Sequence, residues 1–214
     1  KKRVLIIYYS YTQQTKILLR KFIAGLESTG VMVSQEKLEP VKPYEFPFRS
    51  NMRLASAMIM TFFQKRMIIK PVAEVCFGSW DCIILAGPTW SYHPCGPILD
   101  FLDRYGRKIC QGKVVIPFIS CRSYWHLHFW NVQRRLSACG ANVAQPIVFM
   151  HPGKEPWRFI GLLLQLRGKV VGRENAWFRK QYPGYGHSKQ QGVEAMERGK
   201  ELGERLLSDY TARA

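Results

Sequence analysis

The chain is short of acids, of paired cysteines and of long apolar runs. Its 214 residues hold 15 Asp and Glu against 32 Lys and Arg, a formal net charge of +17. That imbalance favours an anionic partner, whether nucleic acid, anionic lipid or an acidic protein, without choosing among them. Six cysteines (Cys76, Cys82, Cys95, Cys110, Cys121 and Cys139) form no Cys-x-x-Cys pair, and no histidine cluster has ligand spacing. A structural zinc site and a disulfide framework are thereby set aside, and reduced thiols in a cytosol are the expectation. No apolar run reaches the length of a membrane span. No internal repeat, low-complexity segment or recognised nucleic-acid motif is present, so nucleic acid is not the expected partner. The opening Lys1-Lys2-Arg3 leads straight into a strand, which predicts no leader. The expectation is a cytoplasmic protein, at most membrane-peripheral. The length suits one large domain, 1–214, with a substantial core and an insertion at about 151–187.

Strands and helices alternate along the chain. Val4 to Tyr9 is an apolar, β-branched run, and residues 16–27 repeat apolar positions at helical spacing. A helix stop at Ser28-Thr29-Gly30 precedes a short strand at Val31–Leu38. Pro40, Pro43 and Pro47 punctuate a loop holding Tyr44, Phe46 and Phe48. A helix with few charges and a wide apolar surface follows from Asn51, its expected N-cap, to Arg66. It predicts either a cover for one sheet face or an interfacial helix on a membrane. Strands are expected at Trp80–Ala86, Lys113–Ser120 and Asn142–Phe149. The intervening helices begin near Ile98, with Pro97 in the tolerated first turn, and near Trp125. Residues 151–187 fit no simple element. They combine Trp157, Trp177, Tyr182 and Tyr185 with seven basic residues (Lys154, Arg158, Arg167, Lys169, Arg173, Arg179 and Lys180) against Glu155 and Glu174. A charged helix from Ser188 to about Tyr210 closes the chain, with Val193, Met196, Leu202, Leu206 and Leu207 as expected core contacts. The alternation predicts an α/β fold, a parallel sheet with right-handed crossovers and helices on both faces.

Three loops leave the carboxyl ends of these strands, where parallel sheets bind ligands. The first is Ser10-Tyr11-Thr12-Gln13-Gln14-Thr15. A strand, a hydroxyl-rich turn and a helix in that order offer unpaired helical N–H groups and the positive end of the helix dipole to an anion. One of these hydroxyls could instead simply cap the helix. The second loop runs over 88–97, with Pro88, Thr89, Trp90, Ser91 and Tyr92 as its candidate site residues, and the third over Cys121, Arg122, Ser123, Tyr124 and Trp125.

With these motifs the chain resembles the flavodoxin-like superfamily. Residues 10–15 look like its phosphate loop, Gly87-Pro88-Thr89-Trp90 like its second loop, and 121–125 occupies the place of its third. The resemblance covers about residues 3–149 and the last helix. It implies a doubly wound five-stranded parallel sheet in the order 2-1-3-4-5 and FMN as cofactor. Ser10, Thr12 and Thr15 with the loop amides would hold the phosphate, and Thr89, Trp90 and Tyr124 would flank the isoalloxazine. Two departures stand out: Gln13 replaces the usual glycine, and the usual acidity is reversed, unlike a small acidic electron carrier.

The resemblance implies an FMN-dependent oxidoreductase carrying electrons from NAD(P)H to a quinone or other small acceptor, with no general acid or base assigned. His93, His126 and His128 are expected as polar lining or surface near the flavin edge, and Cys95 and Cys121 as inert packing. A rival reading is a binding module that has lost FMN, for which Gln13 is the support. A further one places the basic, aromatic stretches 42–72 and 151–187 on an anionic membrane surface, near a lipid-soluble substrate. A homodimer is compatible with the sequence, which does not fix the oligomeric state.

Overall fold

The computed structural model of the chain describes residues 1–169 and 184–211. Its sheet is built from β1 (Arg3–Tyr8), β2 (Met32–Lys37), β3 (Cys82–Trp90), β5 (Val114–Cys121), β6 (Asn142–Val143) and β7 (Ile147–Met150). The order is β2-β1-β3-β5-β6, with β7 also on β5, and all these pairings are parallel. A two-residue strand, β4 (His93–Pro94), folds back antiparallel on the end of β3. The sheet is that of the α/β fold expected, with one difference. The fifth strand position is split into β6 and β7 around Gln145-Pro146, because proline has no N–H for the ladder.

The central strands are buried along almost their whole length, as strands covered on both faces must be. Their two-residue period divides them between two cores. Leu5, Ile7, Ile83, Leu85 and Val115 face α3 (Gly96–Phe101), α4 (Arg107–Cys110) and α5 (Trp125–Ala138). Pro97 sits in the first turn of α3, as its sequence context predicts. Val4, Ile6, Ile84, Ile116 and Phe118 face α1 (Gln14–Ser28) and the closing helix, α7 (Lys189–Thr211).

α1 and α7 approach each other through glycine. Gly192, Ala195, Gly199 and Gly203 recur at helical spacing and are buried. A methyl group on Gly25 would strike the backbone carbonyl of Met196, and one on Gly199 the carbonyl of Phe22. This corrects the core contacts expected for α7. Leu202, Leu206 and Leu207 do pack on the core, but Val193 and Met196 are half exposed. Small residues take the inner stripe, so the larger side chains stand beside it.

Two helices roof the carboxyl ends of the strands. α2 (Asn51–Phe62) is capped by Ser50, not Asn51: the Ser50 hydroxyl accepts from Arg53 N at 3.2 Å. α6 (Trp157–Leu166) supplies regular structure where the sequence suggests none. α2 covers no sheet face. Its buried Leu54 and Ala57 pack with Phe48 against Tyr11, Tyr44, Leu163 and Leu166, so α2 and α6 share a small core of their own. Phe48 N donates to Leu166 O at 2.8 Å, which ties the proline-rich loop to α6. Arg173, Glu174, Trp177, Arg179, Lys180 and Tyr182 lie outside the described residues. No described helix is long and apolar enough to cross a membrane.

The glycine contact gives a prediction of unusual sign. Glycine to alanine on an ordinary helix stabilises by about 0.5–1 kcal/mol. Gly192→Ala should do so, because its Cβ would meet only Lys21 Cγ at 3.7 Å. Gly25→Ala and Gly199→Ala should instead destabilise by about 1–3 kcal/mol through overpacking. Urea unfolding of the three variants checks this; equal stabilisation in all three would show that the helices do not touch here.

Candidate functional site

A cavity of ≈ 140 Å³ lies between the three strand-end loops and the α2–α6 roof. Tyr11 and Thr12 line it from the first loop and Gln14 and Thr15 from the first turn of α1. Pro88, Thr89 and Trp90, expected in a loop, line it from the end of β3 with Ser91 in the turn beyond, and Cys121 lines it from the last position of β5 with Arg122 after it. A second groove of ≈ 570 Å³ adjoins it, and Tyr92, Ser123 and Tyr124 line that groove. Ser10, Gln13 and Trp125 line neither. Trp125 stacks on His126 with ring centroids 3.9 Å apart.

In the first loop, Gln13 adopts the left-handed conformation, at φ +65, which the sequence would normally assign to glycine. It thus keeps the tight turn, and its carbonyl accepts from Ile17 N at 2.9 Å to start α1. Ser10 is the hydroxyl that caps: its Oγ accepts from Lys16 N at 3.3 Å and the residue is buried. Thr12 and Thr15 are left for the cavity. The Thr12 hydroxyl lies 3.0 Å from the Tyr185 phenol. In such a pair one proton is used between the two oxygens and the other remains for a ligand. Gln14 Oε1 accepts from His187 N at 2.9 Å, and Gly186, at φ +103, lies too close to that amide to carry a side chain.

In the second loop, Ser91 and Tyr92 both have positive φ (45 and 72), forming a tight hairpin turn between β3 and β4. Ser91 Oγ lies 2.7 Å from Thr61 Oγ1 and donates to Met58 O at 3.1 Å, fastening α2 to the turn. Trp90 stands edge-on to Tyr9 and Tyr11, with centroids at 5.6 and 5.7 Å, and tilted to Tyr44 at 5.8 Å. Thr89 Oγ1 is held 2.8 Å from His128 Nδ1. In the third loop, Tyr124 again has positive φ and meets Tyr92 at 5.5 Å. Four of the five non-glycine residues with positive φ among the described residues therefore sit in these three loops. Each such position costs of order 1–3 kcal/mol and is typical of binding sites.

Among the described residues, Arg122 is the only charged one lining the cavity. It pairs with Glu155, which Arg158 Nε also approaches at 3.4 Å, so two guanidinium groups share one carboxylate. The Cys121 and Cys95 thiols are each pushed up to about 12 by burial. They are neutral packing groups.

Several lining residues carry no local signal in the sequence. Tyr44, Phe48, Met58, Thr61 and Leu163 reach the cavity only because α2 and α6 close over it. Ser120, His151 and Tyr185 complete its floor. His187 packs edge-on against His151 with centroids 4.6 Å apart. Its tautomer can be traced. Gln191 Nε2 donates to Met150 O at 2.6 Å, which leaves Oε1 to accept from Ser188 N and from His187 Nδ1 at 3.3 Å. His187 Nε2 is then the acceptor, and the Ser120 hydroxyl donates to it at 2.8 Å. By contrast His93, His126 and His128 do not line the cavity. His93 and His128 are buried, and Asn131 Nδ2 donates to His93 Nδ1 at 3.0 Å.

No protein-family model matches the chain, and no curated protein matches it. Solved structures do. A flavoprotein in complex with FMN from Lactobacillus acidophilus NCFM is 18% identical, with TM-score 0.54, over 69% of this chain and 93% of that one. A flavodoxin from the domain Archaea is 13% identical, with TM-score 0.54, over 95% and 98%. Rubredoxin oxygen:oxidoreductase from Desulfovibrio gigas is 11% identical, with TM-score 0.52, over 97% of this chain and 37% of its own. The chain has a flavodoxin-like fold.

The buried histidines predict an acid-sensitive fold. Burial lowers His128 to about 3, His151 to about 3 and His187 to about 4; the neighbouring imidazole of His93 adds to the first and that of His187 to the second. In the unfolded chain these groups titrate near about 6.5, so between about pH 6.5 and 4 the unfolded state binds more protons. Stability is therefore full above that window and falls with pH inside it, by at most about 1.4 kcal/mol per pH unit for each histidine. The denaturation midpoint should drop from pH 6.5 to 4.5, and His187→Gln should flatten the drop by roughly a third. An unchanged slope in that variant would mean His187 is not held neutral.

Proposed function

We propose that this flavodoxin-like chain binds FMN in the cavity and carries electrons from a reduced nicotinamide to a quinone or similar small acceptor. One observation carries the reading: a single cavity has a hydroxyl-rich helix start at one end and a cluster of aromatic rings at the other. The donor set suits a phosphate. Thr15 and the spare proton of the Thr12–Tyr185 pair are available, and α1 opens at Gln13 without a side-chain cap from that residue. Among the described residues no acid lines the cavity, and Arg122 lies at its wall. Trp90, Tyr11 and Tyr44 offer faces and edges to a flat heterocycle.

When bound, the flavin supplies the hydride and electron chemistry. The chain would do the rest. Thr12, Thr15 and Tyr185 would anchor the phosphate, Trp90 and Tyr44 would orient the ring, and the α2–α6 roof would limit water. The adjoining groove shares Met58, Thr89, Ser91, Arg122 and Leu162 with the cavity, which gives a second ligand a route to the ring. That the Cys95 and Cys121 thiols are neutral argues against a thiol relay.

A second reading has its own support. Tyr185 and His187 already bond to Thr12 and Gln14, so the chain itself covers part of the loop that would take the phosphate. A module without flavin would look the same there. Absorption spectra of the purified protein, before and after FMN addition and desalting, separate the two. Flavin bands should stay with the protein. Thr15→Val should weaken FMN binding about 10–100-fold, the loss of one hydrogen bond to a charged group, and leave riboflavin binding nearly unchanged. A protein that retains no added flavin would overturn the reading in favour of the flavin-free module.

A further inference from the structure

α2 departs from the usual rule that a surface helix turns its polar side to water. Its inward stripe is Leu54, Ala57, Met58 and Thr61, at spacings of three, one and three. On the opposite side Met52, Ile59 and Phe63 follow one another at seven and four residues and are 84%, 56% and 75% exposed. Arg53 is the helix's one charged residue, and Glu45 bridges it. The apolar surface does not stop at the helix. Phe62 packs on Phe63, and both line the groove together with Ile59, Tyr92 and Tyr124. Ile59, Phe62, Phe63, Tyr92 and Tyr124 thus form one continuous apolar face, of the kind that marks an interaction site.

Charge selects the occupant. Residues 42–72 carry six basic side chains and one acid, Glu45, which is already shared between Arg49 and Arg53. Asp103, near the end of α2, is shared between Arg66 and Arg135. Lys65, two residues beyond Phe63, is exposed. Lys70 pairs with Glu39, and Glu155 on the groove wall is shared between Arg122 and Arg158, so around the apolar face cations outnumber acids. A second copy of a chain with charge +17 would oppose like charge to like. A nucleic acid would meet the cations and leave Met52, Ile59 and Phe63 without apolar contact. An anionic phospholipid surface satisfies both, offering phosphates to the cations and acyl chains to the stripe.

We propose that α2 seats this protein on an anionic membrane surface, with Met52, Ile59 and Phe63 in the headgroup–acyl boundary and Lys65 at the phosphates. The groove between α2 and the Tyr92–Tyr124 pair then opens at the bilayer and leads into the cavity. A lipid-dissolved, apolar acceptor becomes the substrate class; that clause rests on the flavin reading, and the docking does not.

Co-sedimentation of the purified chain tests the docking. Vesicles of phosphatidylcholine, with and without phosphatidylglycerol, would be used at moderate salt, with flavin and without. Binding to the anionic vesicles is expected in both flavin states, so a failure to hold FMN leaves this result readable. Ile59→Ser combined with Phe63→Ser should weaken it at least about tenfold, and Lys65→Gln about fivefold. Thermal unfolding confirms that the variants fold, and Met52→Ser, remote from the groove, should weaken binding if the double variant does not fold. Absence of vesicle binding would overturn the proposal. So would binding that the serine variants leave unchanged, which is the signature of charge alone. A dimer that the serine variants dissociate, without vesicle binding, would assign the face to a second copy instead.

Discussion

The near-contact of α1 and α7 is the constraint on which the site depends. With Gly25 against the Met196 carbonyl and Gly199 against the Phe22 carbonyl, the two helices lie as close as backbones can. That contact fixes where α7 begins. The residues just before it, Tyr185, Gly186 and His187, are thereby delivered onto the β1–α1 loop, almost the length of the chain away in sequence. Gly186 repeats the logic at the loop itself, where it leaves just enough room for the Gln14 amide. The floor of the cavity is thus a consequence of helix packing elsewhere.

The roof follows a different principle. α2 and α6 bury little against the sheet and hold each other through Phe48, Leu54, Ala57, Leu163 and Leu166. Polar links at the rim, Ser91 to Thr61 and Phe48 to Leu166, attach this small core to the loops beneath. Elements with few buried apolar contacts open at lower free energy than the cores of a domain. A cover of that kind can open to a ligand without disturbing the sheet.

Much of this was readable from residue order. Continuous apolar runs at Val4–Tyr9, Cys82–Ala86 and Val114–Ser120 can be stable only if covered on both faces, and the helices between them must cross over. Such strands end together, so the three hydroxyl- and aromatic-rich loops had to meet. Ser10-to-Thr15 as a helix start and Pro97 in a first turn both follow from local chemistry. Local chemistry also misled. Asn51 and Ser50 are both good caps, and the chain used Ser50; Val193 and Met196 have core character but yield to glycines on the same helix. Residues 151–187 fitted no simple element, and α6 was missed within them because Pro156 offers its start no side-chain cap and Gly161 interrupts its apolar run.

By itself, then, the sequence determined the class of fold and the loops that carry the chemistry, since these depend on periodicity and on which residues start and stop an element, while the strand order was implied only by the family resemblance. Tertiary structure alone decided which loop hydroxyl caps and which faces the cavity, and that Gln13 could stand in the left-handed region. It also brought the neutral imidazoles of His151 and His187 against each other, with His151 and Tyr185 together at the cavity floor. Those outcomes depend on distances between segments remote in sequence, which no local pattern encodes.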